Sequence, residues 1–310
     1  MVTVRVPASS ANMGSGFDTL GVGVGLYNTV SAEEIPSGLD IRSVNAADYI
    51  PKDEKNLIYR AMMEVFDEVG YEPSGLRIVQ KSDIPVTRGL GSSSACIIGG
   101  MIAANVISGR KLKYDEILNV ALRLEGHPDN LAPALYGGFC VSMMNDGKAI
   151  TKSIKINSDI KFAAMIPNFF VPTKKSRRVL PDTIGYRDAV FNISHAAMFA
   201  TLFASGNLDD LHLAVQDKMH QQYRSVYIDD MEGIFEQSYK LGAKAVYLSG
   251  SGPTIMAVLN DNYSQFQMGM QKYFKEKNKQ CACKILSVDN VGAIVKTNNN
   301  KFGKNNFRYK

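Results

Sequence analysis

The run Pro85, Val86, Thr87, Arg88, Gly89, Leu90, Gly91, Ser92, Ser93, Ser94, Ala95 carries the residue types of a phosphate site built from backbone. Leu76, Ile78, Ile84 and Val86 mark a short β-like stretch around its start, and Gly89 and Gly91 break that stretch. Three serines then open an apolar helix expected from Ala95 to about Ile107. In the order strand, glycine turn, helix start, the glycines let main chain approach an anion and the free N–H groups of the first helical turn point at it. The aligned peptide dipoles add partial positive charge, so a polyphosphate suits the cradle. The same residues also make an ordinary glycine turn with serine N-caps. Neither the Walker A pattern nor the G-x-G-x-x-G dinucleotide fingerprint occurs anywhere in the chain.

Phosphoryl transfer needs charge neutralisation more than covalent help, so oxygen ligands for Mg²⁺ are expected beside the anion loop. Glu125 ends a helical pattern just before the polar turn GHPDN and is the candidate carboxylate, with a hydroxyl from Ser92 or Ser93 beside it. A solvated helix-end carboxylate is the competing reading. Lys174, Lys175, Arg177 and Arg178 form a charge cluster in an expected loop, and His195, His212 and His220 read as plain helix residues. The cysteines Cys96, Cys140, Cys281 and Cys283 show no CxxC pairing; Cys96 and Cys140 sit in apolar surroundings and read as small core residues, which speaks against a zinc site.

The elements that must position these groups alternate. Strand-like runs cover 2–6 and 19–27; helical spacing covers 56–69, stopping at Gly70, and 115–125, with Gly126 behind. A strand follows at 161–166, helices near 187–204, 208–221 and 230–241, and strands at 243–248 and 254–259. A helix near 263–274 and strands near 281–288 and 292–296 complete the order, which indicates an α+β fold. The chain has 310 residues and 45% hydrophobic content, enough for one large or two medium domains with real cores. No apolar run is long enough to span a membrane and no leader pattern opens the chain, so a cytoplasmic protein without membrane partner is expected. Much of the net charge of +5 lies in the Asn-rich stretch 298–310, read as a solvated tail; no nucleic-acid signature accompanies it.

Two further stretches, Pro7 to Asp18 (PASSANMGSGFD) and Leu248 to Thr254 (LSGSGPT), flank the serine loop in chain order. Together the three resemble the motifs of the GHMP small-molecule kinases over roughly residues 2 to 295. The resemblance implies an N-terminal α+β nucleotide-binding domain over 1–150, a C-terminal ferredoxin-like α+β domain over 151–297 and the tail 298–310, with the active site between the domains. Within the family, EGHPDNLAP from Glu125 to Pro133, the arginine of Thr173 to Pro181 and the pair Tyr223-Arg224 are similar to members that phosphorylate L-homoserine with ATP on the way to threonine. Ser15, Ser94 and Ser176 depart from the usual wording without removing a functional group.

By that resemblance Ser93 and Glu125 hold Mg²⁺, and the loop Pro85 to Ala95 with Ser251 and Gly252 surrounds the phosphates of ATP. The last two also read as a hairpin between strands, and Asn56 reads either as a contact near adenine or as an N-cap. Arg177 and Arg224 are implied for the substrate carboxylate, Asp18 with Asn12 for its ammonium, and His127 with Asn130 for the hydroxyl end. The implied catalytic set is Asn130, His127, Glu125 and Ser93. Several relatives carry an aspartate at the place of Asn130; an amide cannot take the proton, so positioning and electrostatics must carry the rate, with Asp129 read as a turn residue. A kinase for another small anionic alcohol such as mevalonate, or a metabolite-binding module without catalysis, are the alternatives. A homodimer is expected.

Overall fold

The computed structural model describes residues 1–44 and 50–297; the tail 298–310 lies outside the described residues. The first sheet joins seven strands, beginning with β1 (Val2–Ala11) and β2 (Leu20–Glu34), which pair antiparallel with a register shift at Pro7/Ala8. A proline cannot donate to the ladder, so the irregularity falls where Pro7 stands. β4 (Gly75–Ser82) adds to β2 and pairs in parallel with β3 (Gly38–Ser43), while β5 (Phe139–Asn145) and β6 (Lys148–Ile154) extend the other end of β2. β3, β5 and β6 were not anticipated from the sequence.

Against this sheet pack α1 (Leu57–Val69), α2 (Ser92–Ile107), α3 (Tyr114–Glu125) and α4 (Pro128–Tyr136). α1 follows its pattern: Asn56 caps it through Ile58 N at 2.9 Å, Ala61, Met62, Val65 and Phe66 are buried, and Gly70 ends it in the left-handed region. α4 corrects the expected polar turn after Glu125. Gly126 closes α3 in the left-handed region, and Pro128 takes the first helical position, where a proline's missing N–H costs nothing.

The second sheet holds β7 (Lys161–Pro167), β8 (Ala245–Leu248), β9 (Ile255–Leu259) and β10 (Cys281–Ser287) in the antiparallel order β10-β7-β9-β8. With α9 (Met231–Lys240) and α10 (Tyr263–Glu276) it forms the ferredoxin-like β-α-β-β-α-β order. Between β7 and α9 are inserted α5 (Thr173–Arg177), α6 (Tyr186–Ser205), α7 (Leu211–Ala214) and α8 (Gln221–Arg224).

The insertion departs from the sequence reading at two places. The charge cluster begins on a short helix, α5, and the single helix expected over 208–221 is broken. The cause of the break is Asp217, whose carboxylate accepts the backbone N–H groups of Met219, His220 and Gln221 at 2.9, 2.9 and 2.7 Å. A side chain that captures backbone donors removes them from the helical ladder.

The two sheets share packing. Phe203 of α6 meets Phe139 of β5 at 5.0 Å and Phe162 of β7 at 6.2 Å, edge to face. The chain then returns: β11 (Ile294–Thr297) pairs antiparallel with β1, so these residues of the expected C-terminal domain sit in the first sheet, and the boundary at 150 falls inside β6. Among the described residues no helix is long and apolar enough to cross a membrane.

Candidate active site

A cleft of about 580 Å³ opens where the three motifs meet. Its floor is the start of α2. Gly91 sits at the N-cap with φ +65°, and Gly89 before it has φ +74°. These conformations disfavour any residue with a Cβ. A carbon added at Gly91 would lie 2.0 Å from Ser9 Oγ, and one at Gly89 would lie 2.3 Å from the Ser249 carbonyl oxygen. Glycine at 91 is thus required by the neighbouring strand, whereas the loop's ability to seat an anion rests on its free N–H groups.

The segments lock together through side chains. Ser9 Oγ donates to Asn130 Oδ1 at 2.8 Å, and Ser9 N bonds the Leu90 carbonyl at 3.2 Å. Ser249 Oγ donates to the Gly89 carbonyl at 2.5 Å and shares a hydrogen bond of 2.7 Å with Ser10 Oγ. Gly250 N reaches the Ala11 carbonyl at 3.1 Å. Residues 248–254 make the turn between β8 and β9: Ser251 borders the cleft, while Gly252 turns the chain behind it.

Within the serine loop the residues divide. Val86, Thr87, Arg88, Gly89, Gly91, Ser92 and Ser93 border the cleft; Leu90, Ser94 and Ala95 are buried in the protein and Pro85 lies off the cleft wall. Arg88 is tied to backbone, donating to the carbonyls of Pro167 and Val86 at 3.0 and 3.3 Å. Asn56 is both an N-cap and part of the cleft wall. Cys96, expected in the core, also reaches that wall and accepts from Gln80 Nε2 at 3.3 Å.

Glu125 faces this loop from the end of α3. The hydroxyl that touches it is Ser94 Oγ, at 2.7 Å to Oε2, rather than Ser92 or Ser93, because Ser94 points inward and Ser93 outward from α2. Burial pushes the Glu125 carboxyl up to about 7, with the Ser94 bond pulling the other way. A carboxylate held in low dielectric with hydroxyls nearby is an oxygen donor set that suits a hard cation such as Mg²⁺. Asp18, His127 and Asp129 also bring ligand atoms within 4.8 Å of one another. An imidazole, and a carboxylate already paired with arginine, suit Mg²⁺ less well.

The opposite end of the cleft carries charge of both signs. Arg177 Nη2 donates to Asp18 Oδ1 at 2.6 Å. Asn12 Oδ1 accepts from Asp18 N at 3.0 Å and Asn12 Nδ2 donates to the Gly250 carbonyl at 3.0 Å, so Asn12 shapes the turn that presents Asp18. Arg224 is only 2% exposed yet borders the cleft; burial and the neighbouring Arg177 pull its guanidinium down to about 10. His127 precedes α4 and is held below its ordinary value by burial, which Asp18 opposes and the two arginines reinforce. Asp129 is pushed up to about 7 by burial, then by Asp18 and Glu125. Asn130 uses Oδ1 for Ser9, leaving its amide N–H groups as donors.

Two residues of this end were missed in the sequence. The Phe17 ring lies 5.4 Å from the Arg177 guanidinium and 5.3 Å from that of Arg224, and stacks on His220 at 5.2 Å. His220 touches Arg224 at 3.2 Å; the only signal available was their i, i+4 spacing.

Residues 56–138 match the GHMP kinases N terminal domain and residues 199–274 the GHMP kinases C terminal domain. The homoserine kinase of Clostridium beijerinckii is 44% identical over 299 residues, covering 95% of this chain and 98% of that protein. The homoserine kinase of Caldicellulosiruptor bescii is 45% identical over 297 residues, covering 95% and 97%. The crystal structure of homoserine kinase from Cytophaga hutchinsonii superposes with a TM-score of 0.85 at 26% identity, covering 95% of this chain and 97% of that one. With both family domains present and near-complete coverage of its relatives, the chain belongs to the GHMP kinase family, in its homoserine kinase branch.

Proposed function

We propose that this protein transfers the γ-phosphoryl group of ATP to the side-chain hydroxyl of L-homoserine. The observation that carries the reading is the pairing of two unlike ends in one cleft: a helix N-terminus with open N–H groups, and an arginine–aspartate pair with a second arginine beside it. Polyphosphate suits the first end. An α-amino acid suits the second, for a reason of charge. Arg177 and Asp18 are paired through Nη2, so a guest that takes one of them must also replace the partner of the other. A zwitterion offers a carboxylate to Arg177 and Arg224 and an ammonium to Asp18. A plain hydroxy acid such as mevalonate takes Arg177 and leaves Asp18 unpaired, at an expense of about 1–3 kcal/mol.

In this reading the bound hydroxyl attacks the γ-phosphorus, the bond to the bridging oxygen breaks and ADP leaves, while the hydroxyl proton passes late to an oxygen of the transferred phosphoryl group. The N–H groups of α2 hold the phosphates, Asn130 and His127 orient the hydroxyl, and the interlocked motifs keep the distance between the two ends. Glu125 and Ser93, both on the cleft wall, would hold Mg²⁺, which when bound would supply positive charge to the phosphates. Asn130 offers no basic lone pair to the hydroxyl proton, so the rate comes from positioning and electrostatics.

An ADP-release assay with homoserine, with mevalonate and with no acceptor tests the proposal. Homoserine is expected to exceed mevalonate by about 10- to 100-fold in kcat/KM, following the unpaired-charge penalty, and Asp18→Asn is expected to erase most of that margin. Equal use of both alcohols would remove Asp18 from the substrate site. ATP binding with no turnover on any alcohol would favour the non-catalytic module.

A further inference from the structure

We infer that His220 is a positioning residue that holds Arg224 at a fixed distance from the turn carrying Asp18. The inference rests on the proposal that Arg224 binds the substrate carboxylate. Its basis is the hydrogen-bond logic around a fully buried ring. His220 Nε2 lies 2.9 Å from the Gly14 carbonyl oxygen, and Nδ1 lies 3.2 Å from Arg224 Nη1. A carbonyl can only accept and a guanidinium can only donate, so Nε2 carries the proton and Nδ1 presents its lone pair. Asp217, 3.6 Å from Nε2, is engaged with the three backbone N–H groups described above and leaves the ring proton to Gly14. The neutral Nε2–H imidazole is the one form that satisfies both neighbours.

The ring is thereby a strut between two substrate-facing groups. Gly14 belongs to the same turn as Asp18, and that turn is anchored from behind: Ser15 Oγ donates to the Ala214 carbonyl at 2.8 Å and Asn192 Nδ2 to the Ser15 carbonyl at 2.6 Å. At the other end Arg224 keeps bonds to the carbonyls of Gly250, at 2.9 Å, and Ser176, at 3.4 Å. Those two contacts hold the guanidinium to α5 and to the third motif, whereas on the side of the first motif it meets the imidazole by a hydrogen bond and the Phe17 ring by its face, 5.3 Å away. The carboxylate and ammonium of an α-amino acid are separated by one carbon, so the gap between Arg224 and Asp18 has to be set closely. His220 sets it through Gly14, with Phe17 stacked against the ring.

Three substitutions separate the two hydrogen bonds. An asparagine amide places a polar atom near the position of Nδ1, a glutamine amide near that of Nε2, and phenylalanine keeps the stacked ring with neither. With the full-length protein in a steady-state ADP-release assay, His220→Phe is expected to raise KM for homoserine about tenfold or more, while kcat and KM for ATP stay within about twofold. His220→Asn, which keeps the Arg224 end but not the Gly14 end, should recover part of that loss, and His220→Gln, which keeps only the Gly14 end, little of it. A general structural role would instead move both KM values together and would not distinguish asparagine from glutamine; either pattern, or an unchanged homoserine KM in His220→Phe, overturns the inference. Should His220→Phe fail to fold, the asparagine–glutamine comparison decides alone, and equal values in the two refute it. Arg224→Gln separates the inference from its premise: unchanged homoserine KM in that variant removes Arg224 from the substrate site and the inference with it. A raised KM there, with His220 variants like wild type, removes only His220.

Discussion

Gly91→Ala probes the junction on which the whole cleft depends. Two costs can be read from the structure. The backbone at 91 has φ +65°, and an L-residue with a Cβ pays roughly 1–2 kcal/mol to remain there. The new carbon also falls 2.0 Å from Ser9 Oγ, so that hydroxyl must retreat by about 1.4 Å to reach an ordinary contact near 3.4 Å. Moving it breaks the 2.8 Å bond to Asn130 Oδ1, worth about 1 kcal/mol, and strains packing by roughly 1–3 kcal/mol more. Gly91→Ala should therefore lose about 3–6 kcal/mol in urea unfolding at constant m, the sum of those costs. Ser9→Ala alone should lose about 1 kcal/mol, and the double variant should be more stable than Gly91→Ala despite carrying one change more. The measurement is a double-mutant cycle by urea unfolding, with the affinity for a non-hydrolysable ATP analogue in parallel. Additivity within about 0.5 kcal/mol would refute the contact with Ser9. Loss of analogue binding without loss of stability would mean that the guest, not the strand, claims the space at Gly91.

Glu125→Gln should lower kcat by about 100-fold or more under saturating Mg-ATP, since an electrostatic clamp acts most strongly on the transition state. Because burial raises the Glu125 carboxyl to about 7, its ionised form is penalised above that pH, and the metal-free variant should be at least as stable at pH 8 as its parent in thermal unfolding. Near-normal turnover, or a clear loss of stability at pH 8, would contradict the assignment. His220 titrates the other way: burial lowers it from 6.5 to about 4, so between those pH values the unfolded chain takes up a proton that the folded chain refuses. Stability should fall as pH drops through that window, by up to about 3 kcal/mol, and the difference between wild type and His220→Asn should shrink correspondingly; a pH-independent difference in urea unfolding would show that burial does not shift the ring's titration.

The division between what was legible in the sequence and what was not follows the range of the interactions concerned. The turn and helix start of the serine loop were legible because they are local: glycine conformations and helix N–H groups act within a turn of the chain, although Gly91 and not a serine takes the N-cap. Asn56 and Gly70 were legible for the same reason, as caps, whereas the ferredoxin-like order came from the resemblance to the family and not from the local pattern. The partner of Glu125 was not. Ser93 and Ser94 differ by one position, which on a helix turns them to different sides, and the side that meets α3 is decided by how α2 lies on the sheet. The helix expected over 208–221 failed at Asp217, whose composition is unremarkable for a helix but whose carboxylate captures three backbone donors once the chain has bent. That same bend delivers His220 into the core beside Gly14, 206 positions earlier in the chain. A histidine on a continuous helix would have been one more surface residue. Broken free of it, His220 joins the turn that carries Asp18 to the arginine opposite, so the local failure of the helix and the geometry of the substrate end are one structural event.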